Sequence, residues 1–116
     1  MDAPLAALPH GQLGVAELLT VPLEFAGARL ALNIDAAGQG SAYVEIQTRG
    51  AHGWAPAEGF ALGDALPVVA NSVAAPVRWR RGRGRGVGYD VSSLAGVAVR
   101  LRFVLTGCKL FAFQFV

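Results

Sequence analysis

The chain has 116 residues, which suffices for one hydrophobic core and leaves no room for a second; a domain of this size buries roughly two-thirds of its unfolded surface. Its composition is 53% hydrophobic, much of it Ala and Val, yet no run approaches the ~20 apolar residues a spanning helix needs, and a single cysteine, Cys108, excludes an internal disulfide. The net charge is +2, but five of the ten basic residues, Arg78, Arg80, Arg81, Arg83 and Arg85, lie close together, and without them the chain would stand at −3, so no general polyanion-binding surface follows from the basic pI.

Residues 1–14 read as an irregular lead-in, with Pro4, Pro9 and Gly11 and a helical turn at 3–8. Asp2 and the two prolines interrupt the basic-then-apolar opening of a secretory signal, so no signal peptide is expected and a cytoplasmic setting is permitted. LLTVPLEF (18–25) reads as a strand in which Pro22 forces an edge or a bulged position. RLALNID puts Leu30, Leu32 and Ile34 on one face and Arg29, Ala31, Asn33 and Asp35 on the other. AYVEIQT alternates again, with Tyr43, Glu45 and Gln47 opposite Ala42, Val44, Ile46 and Thr48, and the intervening AAGQGS suits a hairpin.

The Gly- and Pro-rich middle, 50–72, offers short extended pieces and no helix, and it gathers His52, Trp54 and Phe60 into an aromatic region. PVRWRR supplies a strand with Val77 and Trp79 inward, and residues 80–88 form an Arg/Gly-rich loop. DVSSLAG reads as a strand end followed by one helical turn, capped by Asp90 or Ser92 and closed by Gly96. In VRLRFVL the apolar Val99, Leu101, Phe103 and Leu105 oppose Arg100 and Arg102; LFAFQF repeats the period with Phe111, Phe113 and Phe115. A turn around Thr106 and Gly107 would pair these two strands as a hairpin and tie the last one into a sheet. Short strands at spacings of about ten residues, with turn chemistry between them, predict an all-β fold, an antiparallel β-sandwich of lectin-like jelly-roll type forming a single domain.

The series LLTVPLEFAGARLALNID, YVEIQ, the GWAP…GFALGDA stretch, VRW, DVSSLAGVAVRLRFVL and LFAFQF resembles the C-terminal β-sandwich module of bacterial proteins related to glycoside hydrolase family 32, from about Glu17 to Phe115. In those proteins the chemistry resides in a preceding β-propeller, so the resemblance implies the sandwich and an accessory role and carries over no catalytic residue. The chain departs from the pattern in its Ala-rich middle and in the Arg-Gly loop before Tyr89.

If strands 29–35, 41–48 and 98–105 shared one sheet, Asn33, Asp35, Tyr43, Glu45, Gln47, Arg100 and Arg102, with Arg29, would project from one side. Such mixtures bind sugars: planar side chains stack on the apolar face of the ring, and Asn, Asp, Glu and Arg exchange hydrogen bonds with hydroxyls. The competing reading is a solvated sheet face whose acids and arginines pair across strands. Trp54 is a second candidate, as a stacking platform or as a plug at the end of the sandwich.

Catalysis finds little support. His10 and His52 have no serine or cysteine arranged beside them, and Glu45 and Asp35, which could reach glycosidase spacing on adjacent strands, have arginines beside them that would keep both ionised. Asp64 and Asn71 are too few oxygen ligands to argue a calcium site, so no cofactor and no metal are expected. One Arg-Gly repeat without interleaved aromatics does not predict specific nucleic-acid binding, and no membrane partner is expected. The residues leave two readings, a non-catalytic carbohydrate-binding module and a structural interaction module that forms a homo-oligomer with no small ligand.

Overall fold

The computed structural model describes residues 2–4, 15–36, 40–80 and 87–116, and of residues 2–4 and 87 only the backbone. The strands there are β1 (Asp2–Pro4), β2 (Val15–Leu19), β3 (Leu30–Asp35), β4 (Ser41–Gly50), β5 (Gly53–Pro56), β6 (Asn71–Pro76), β7 (Trp79–Arg80), β8 (Val87–Gly88), β9 (Val99–Thr106) and β10 (Lys109–Phe115). Single 3-10 turns at Leu62–Asp64 and Ser92–Leu94 are the only helical pieces among the described residues, and none is long and apolar enough to cross a membrane.

Two four-stranded antiparallel sheets run in the orders β1-β10-β3-β6 and β2-β9-β4-β5. Early and late strands interleave in both, which is the double Greek key of a jelly roll, with β7 and β8 inserted as a separate ribbon. The alternating sequences explain the layers. Val99, Leu101, Phe103 and Leu105 of β9 turn inward, as do Ala42, Val44 and Ile46 of β4, and meet Leu30, Leu32, Ile34, Leu110 and Phe113 of the facing sheet in one core. Phe103 and Phe113 touch across the layers with ring centroids 5.7 Å apart. Val77 and Trp79 are fully buried, as their alternation predicts.

Both expected hairpins are absent. β3 and β4 lie in different sheets, as do β9 and β10, because β3 pairs with β10 and β4 with β9. Each connection crosses from one layer to the other, so that consecutive strands bury their apolar faces against one another instead of side by side. The two crossovers meet at glycine: a Cβ on Gly40 would collide with the Gly107 carbonyl, and Gly107 itself has φ +59°.

Three further elements differ from the sequence reading. Residues 2–4, expected within an irregular lead-in and a helical turn, pair as a strand with β10; residues 5–14 and the Arg-Gly repeat at 81–86 lie outside the described residues, as does His10. The ladder slips between Leu110 and Ala112, which leaves Phe111 exposed at a bulge and seats Leu110 in the core beside Phe113 and Phe115. The strand expected at 18–25 is displaced: β2 runs Val15–Leu19, and the segment around Pro22 leaves the ladder apart from one isolated bridge at Leu23, with one more residue on this side than on β9 between the two pairings. Leu19 aligns with Arg102 and Leu23 with Val99, and Thr20 Oγ1 accepts the Leu101 N–H at 2.9 Å. The expected turn forms as a single 3-10 turn, but its N-cap position falls on Val91, which makes no side-chain cap; Asp90, one residue earlier, accepts the Ser92 N–H through Oδ1 at 2.8 Å, and Gly96 has φ +81°.

Candidate functional site

The outer face of the sheet β2-β9-β4-β5 carries six of the eight candidate residues. Antiparallel register sets Glu45 opposite Arg102, Gln47 opposite Arg100 and Tyr43 opposite Val104, while Arg49 faces Trp54 on β5. Period two on β4 and β9 therefore turns Tyr43, Glu45, Gln47, Arg100 and Arg102 to one side. Asn33 and Asp35 do not join them. Both lie on β3 in the opposite sheet, where Asp35 stands in register with Lys109 and Asn33 with Ala112. Their displacement follows from the missing hairpin: alternation fixes which face a residue takes and leaves the partner strand open. It also places Glu45 and Asp35 in separate layers, so they are not a carboxylate pair on adjacent strands. Arg29 stands apart too, its guanidinium 5.4 Å from the Tyr89 ring centroid.

Side chains on this face form one connected row. Glu17 on β2, which the sequence reading leaves out, accepts from Arg102 Nη2 at 2.9 Å, and Arg102 Nη1 lies 3.6 Å from Glu45 Oε2. The Arg102 bond holds the Glu17 carboxyl below its ordinary pKa and raises that of Arg102. Glu45 is only 4% exposed although it sits on the outer face. The chain after β5 runs along β4, and from it the Leu62 N–H donates to Glu45 Oε1 at 3.1 Å, while Gln47 Nε2 donates to Oε2 at 2.7 Å. A buried carboxylate persists only with such partners.

Because its amide is committed to Glu45, Gln47 presents Oε1 to Arg100, whose Nε donates at 2.6 Å. Arg100 then reaches across β4 and lays its guanidinium 5.1 Å from the Trp54 ring centroid, a cation–π contact. Trp54 is half-buried on this outer face and is not an end plug. Phe60, expected with Trp54 in an aromatic loop, is instead a core residue, 4% exposed and edge-on to Trp79 with centroids 5.1 Å apart. His52 is exposed in the β4–β5 turn.

Among the described residues the terminal Nη groups of Arg100, the Trp54 indole N–H and the Tyr43 hydroxyl make no hydrogen bond, so they are the valences this face can offer a ligand. Arg49 is exposed beside them. Arg49 had a signal in the sequence, since it continues the period Tyr43-Glu45-Gln47 by one step; Glu17 also had one, lying a residue before the expected strand at 18–25. No group of three or more His, Cys, Asp and Glu gathers among the described residues. In comparisons with known proteins, no family model, no curated protein and no solved structure matches this chain.

Proposed function

We propose that this chain is a non-catalytic, lectin-like carbohydrate-binding module whose site is the outer face of the sheet β2-β9-β4-β5, centred on Trp54, Arg100, Gln47 and Tyr43. The observation that carries this reading is the Gln47–Arg100–Trp54 arrangement, in which a guanidinium is fixed by a 2.6 Å hydrogen bond beside a half-buried indole. A planar ring next to oriented donors is the combination that sugar recognition requires, apolar contact for the ring and hydrogen bonds for its hydroxyls. The jelly-roll architecture hosts many activities and does not itself argue for one. The resemblance to modules accompanying glycoside hydrolase family 32-like proteins points the same way, toward an accessory role without chemistry of its own.

A broad glycan screen on the purified protein tests this reading, with Trp54→Ala and Tyr43→Phe alongside. Saturable binding that Trp54→Ala abolishes at an unchanged melting temperature is the expected result. A folded protein that retains no glycan refutes it.

A second reading, a structural interaction or oligomerisation module, draws on the apolar side chains left on the sheet edges. Val15, Leu19 and Val21 are at least half exposed on and after β2, and Val73 is 78% exposed at the irregular edge of β6. This reading expects a light-scattering mass above one chain that falls with Val15→Ser or Val21→Ser, and no glycan effect.

A further inference from the structure

The charges on the proposed sugar face are not evenly matched, and their distribution narrows the ligand. Both acids there are committed. Arg102 lies between Glu17 and Glu45, at 2.9 and 3.6 Å, and Glu45 is further occupied by the Leu62 N–H and the Gln47 amide. The two cations at the Trp54 end have no such partner. Arg100 is held by a neutral carbonyl oxygen of Gln47 and by the indole, and Arg49, in register with Trp54, is exposed; neither makes an ion pair among the described residues. One end of the face is thus a closed acid–base row, and the other presents positive charge beside an aromatic ring.

The chain of fixed orientations matters as much as the charge. Gln47 donates to Glu45, so its Oε1 is left to accept Arg100 Nε, and the Nη groups remain as the fork that pairs with a carboxylate through two parallel hydrogen bonds. An arginine held in this way gives up less rotamer freedom on binding than one sweeping through solvent.

We propose that the site takes an acidic sugar, a hexuronic acid residue within a polysaccharide, with its carboxylate on the Nη groups of Arg100, Arg49 contributing a second positive charge and its ring against the exposed part of Trp54. This rests on the carbohydrate-binding reading given above and specifies its ligand class.

Isothermal titration with short α-linked galacturonate and β-linked glucuronate oligomers, each compared with its methyl ester, tests the proposal at low and raised salt, because esterification keeps the ring and removes the charge. The acid form of one oligomer is expected to bind at least about tenfold tighter than its ester, with the difference shrinking as salt rises. Arg49→Gln and Arg100→Gln should each lower binding of the acid form, while Arg78→Gln, which removes an exposed cation outside this face, should not. Arg49→Gln removes a side chain without partners among the described residues, so its result does not depend on whether Arg100→Gln disturbs the sheet. Equal binding of acid and ester overturns the proposal and leaves the carbohydrate reading standing. Binding of a neutral glycan with neither acidic oligomer retained overturns it in the same way. If no glycan of any kind binds, both fall; if Arg78→Gln weakens the acid form as much as Arg49→Gln, the binding is diffuse adsorption and the proposed site is wrong.

Discussion

Trp79 donates its indole N–H to the carbonyl of Val44 at 2.9 Å, and in doing so a side chain takes the place of a strand. On that edge of β4, Ala42 pairs with Val68 through two backbone hydrogen bonds and Ile46 with Ala57 and Phe60; Val44 lies between them and is served by the indole. The ribbon strand β7 is thereby pinned to the core of the sandwich. Trp79→Phe removes the donor, leaves a buried carbonyl unpaired and shrinks a side chain packed edge-on against Phe60. It should destabilise the protein by about 2–4 kcal/mol. Urea unfolding measures this, and a loss below about 1 kcal/mol would mean that the Val44 carbonyl finds another donor.

The bulge in β10 makes two neighbouring phenylalanines unequal. Phe113 is 2% exposed and touches Phe103 and Phe115, whereas Phe111, two residues earlier, stands at the slip in register and is 37% exposed. Phe113→Ala should cost about 3–5 kcal/mol, and Phe111→Ser should stay within roughly 1 kcal/mol of the parent. Similar costs for the two would place them on one face and contradict the bulge.

These residues also show where the sequence stops being informative. Inward and outward faces of β4 and β9 follow directly from alternation, as do the burial of Val77 and Trp79 and the common outer face of Tyr43, Glu45, Gln47, Arg100 and Arg102. Partnership does not follow. Ala31 to Asp35 and Ser41 to Gln47 alternate as cleanly as two strands of a hairpin would, yet the connection between them carries the chain into the other layer and takes Asn33 and Asp35 away from the site. A period of two contains no information about which strand lies alongside, and a one-residue bulge reverses the faces beyond it, as at Phe111. The burial of Glu45 was also hidden, because it depends on the Leu62 N–H, supplied from seventeen positions away.

Gly40 and Gly107 mark the point where the two crossovers pass. A methyl group on Gly40 would overlap the Gly107 carbonyl carbon and oxygen, which are backbone atoms that cannot swing aside. Gly40→Ala should therefore cost at least about 2 kcal/mol, through displacement of both connections. Gly63→Ala is the control, since a Cβ there meets nothing within 4 Å, and its effect should stay within about 0.5 kcal/mol. Thermal melts of the two variants compare them; equal melting temperatures would show that the crossovers can separate without loss.

The Glu17–Arg102 pair makes stability depend on acid pH. The folded protein holds the Glu17 carboxyl below its ordinary value, first through the hydrogen bond from Arg102 and then through that residue's charge. A depressed carboxylate stabilises the fold fully above its unfolded pKa, near about 4.3, and loses that contribution as pH falls through the lower folded value. The pair is exposed, so the effect is small and sensitive to salt. Denaturation midpoints between pH 6 and pH 3 (roughly, spanning the ordinary carboxylate range) should fall less steeply in Glu17→Gln than in the parent, and the two should converge in raised salt. Identical acid profiles at low salt would show that the pair contributes nothing.

Cys108 behaves in the opposite sense, toward alkaline pH. Its thiol donates to the Ser41 carbonyl at 3.3 Å and packs against the core in the crossover just before β10, and burial pushes its pKa up, with the Thr106 backbone acting against that shift and Asp35 adding to it. Since the thiolate is the nucleophile, the native thiol should react with iodoacetamide at neutral pH at least about tenfold more slowly than the urea-unfolded chain. The same shift has a thermodynamic consequence: a group whose folded pKa is raised stabilises the fold below the unfolded pKa, about 8.5 for a thiol, and that contribution fades as pH climbs toward the folded value. Cys108→Ala should flatten the alkaline loss of stability that the parent shows above this pH. Rapid alkylation of the folded protein, at the rate of the unfolded chain, would mean that the β9–β10 crossover opens often enough to expose the thiol, and the tight passage at Gly40 and Gly107 would then have to be looser than their contact implies.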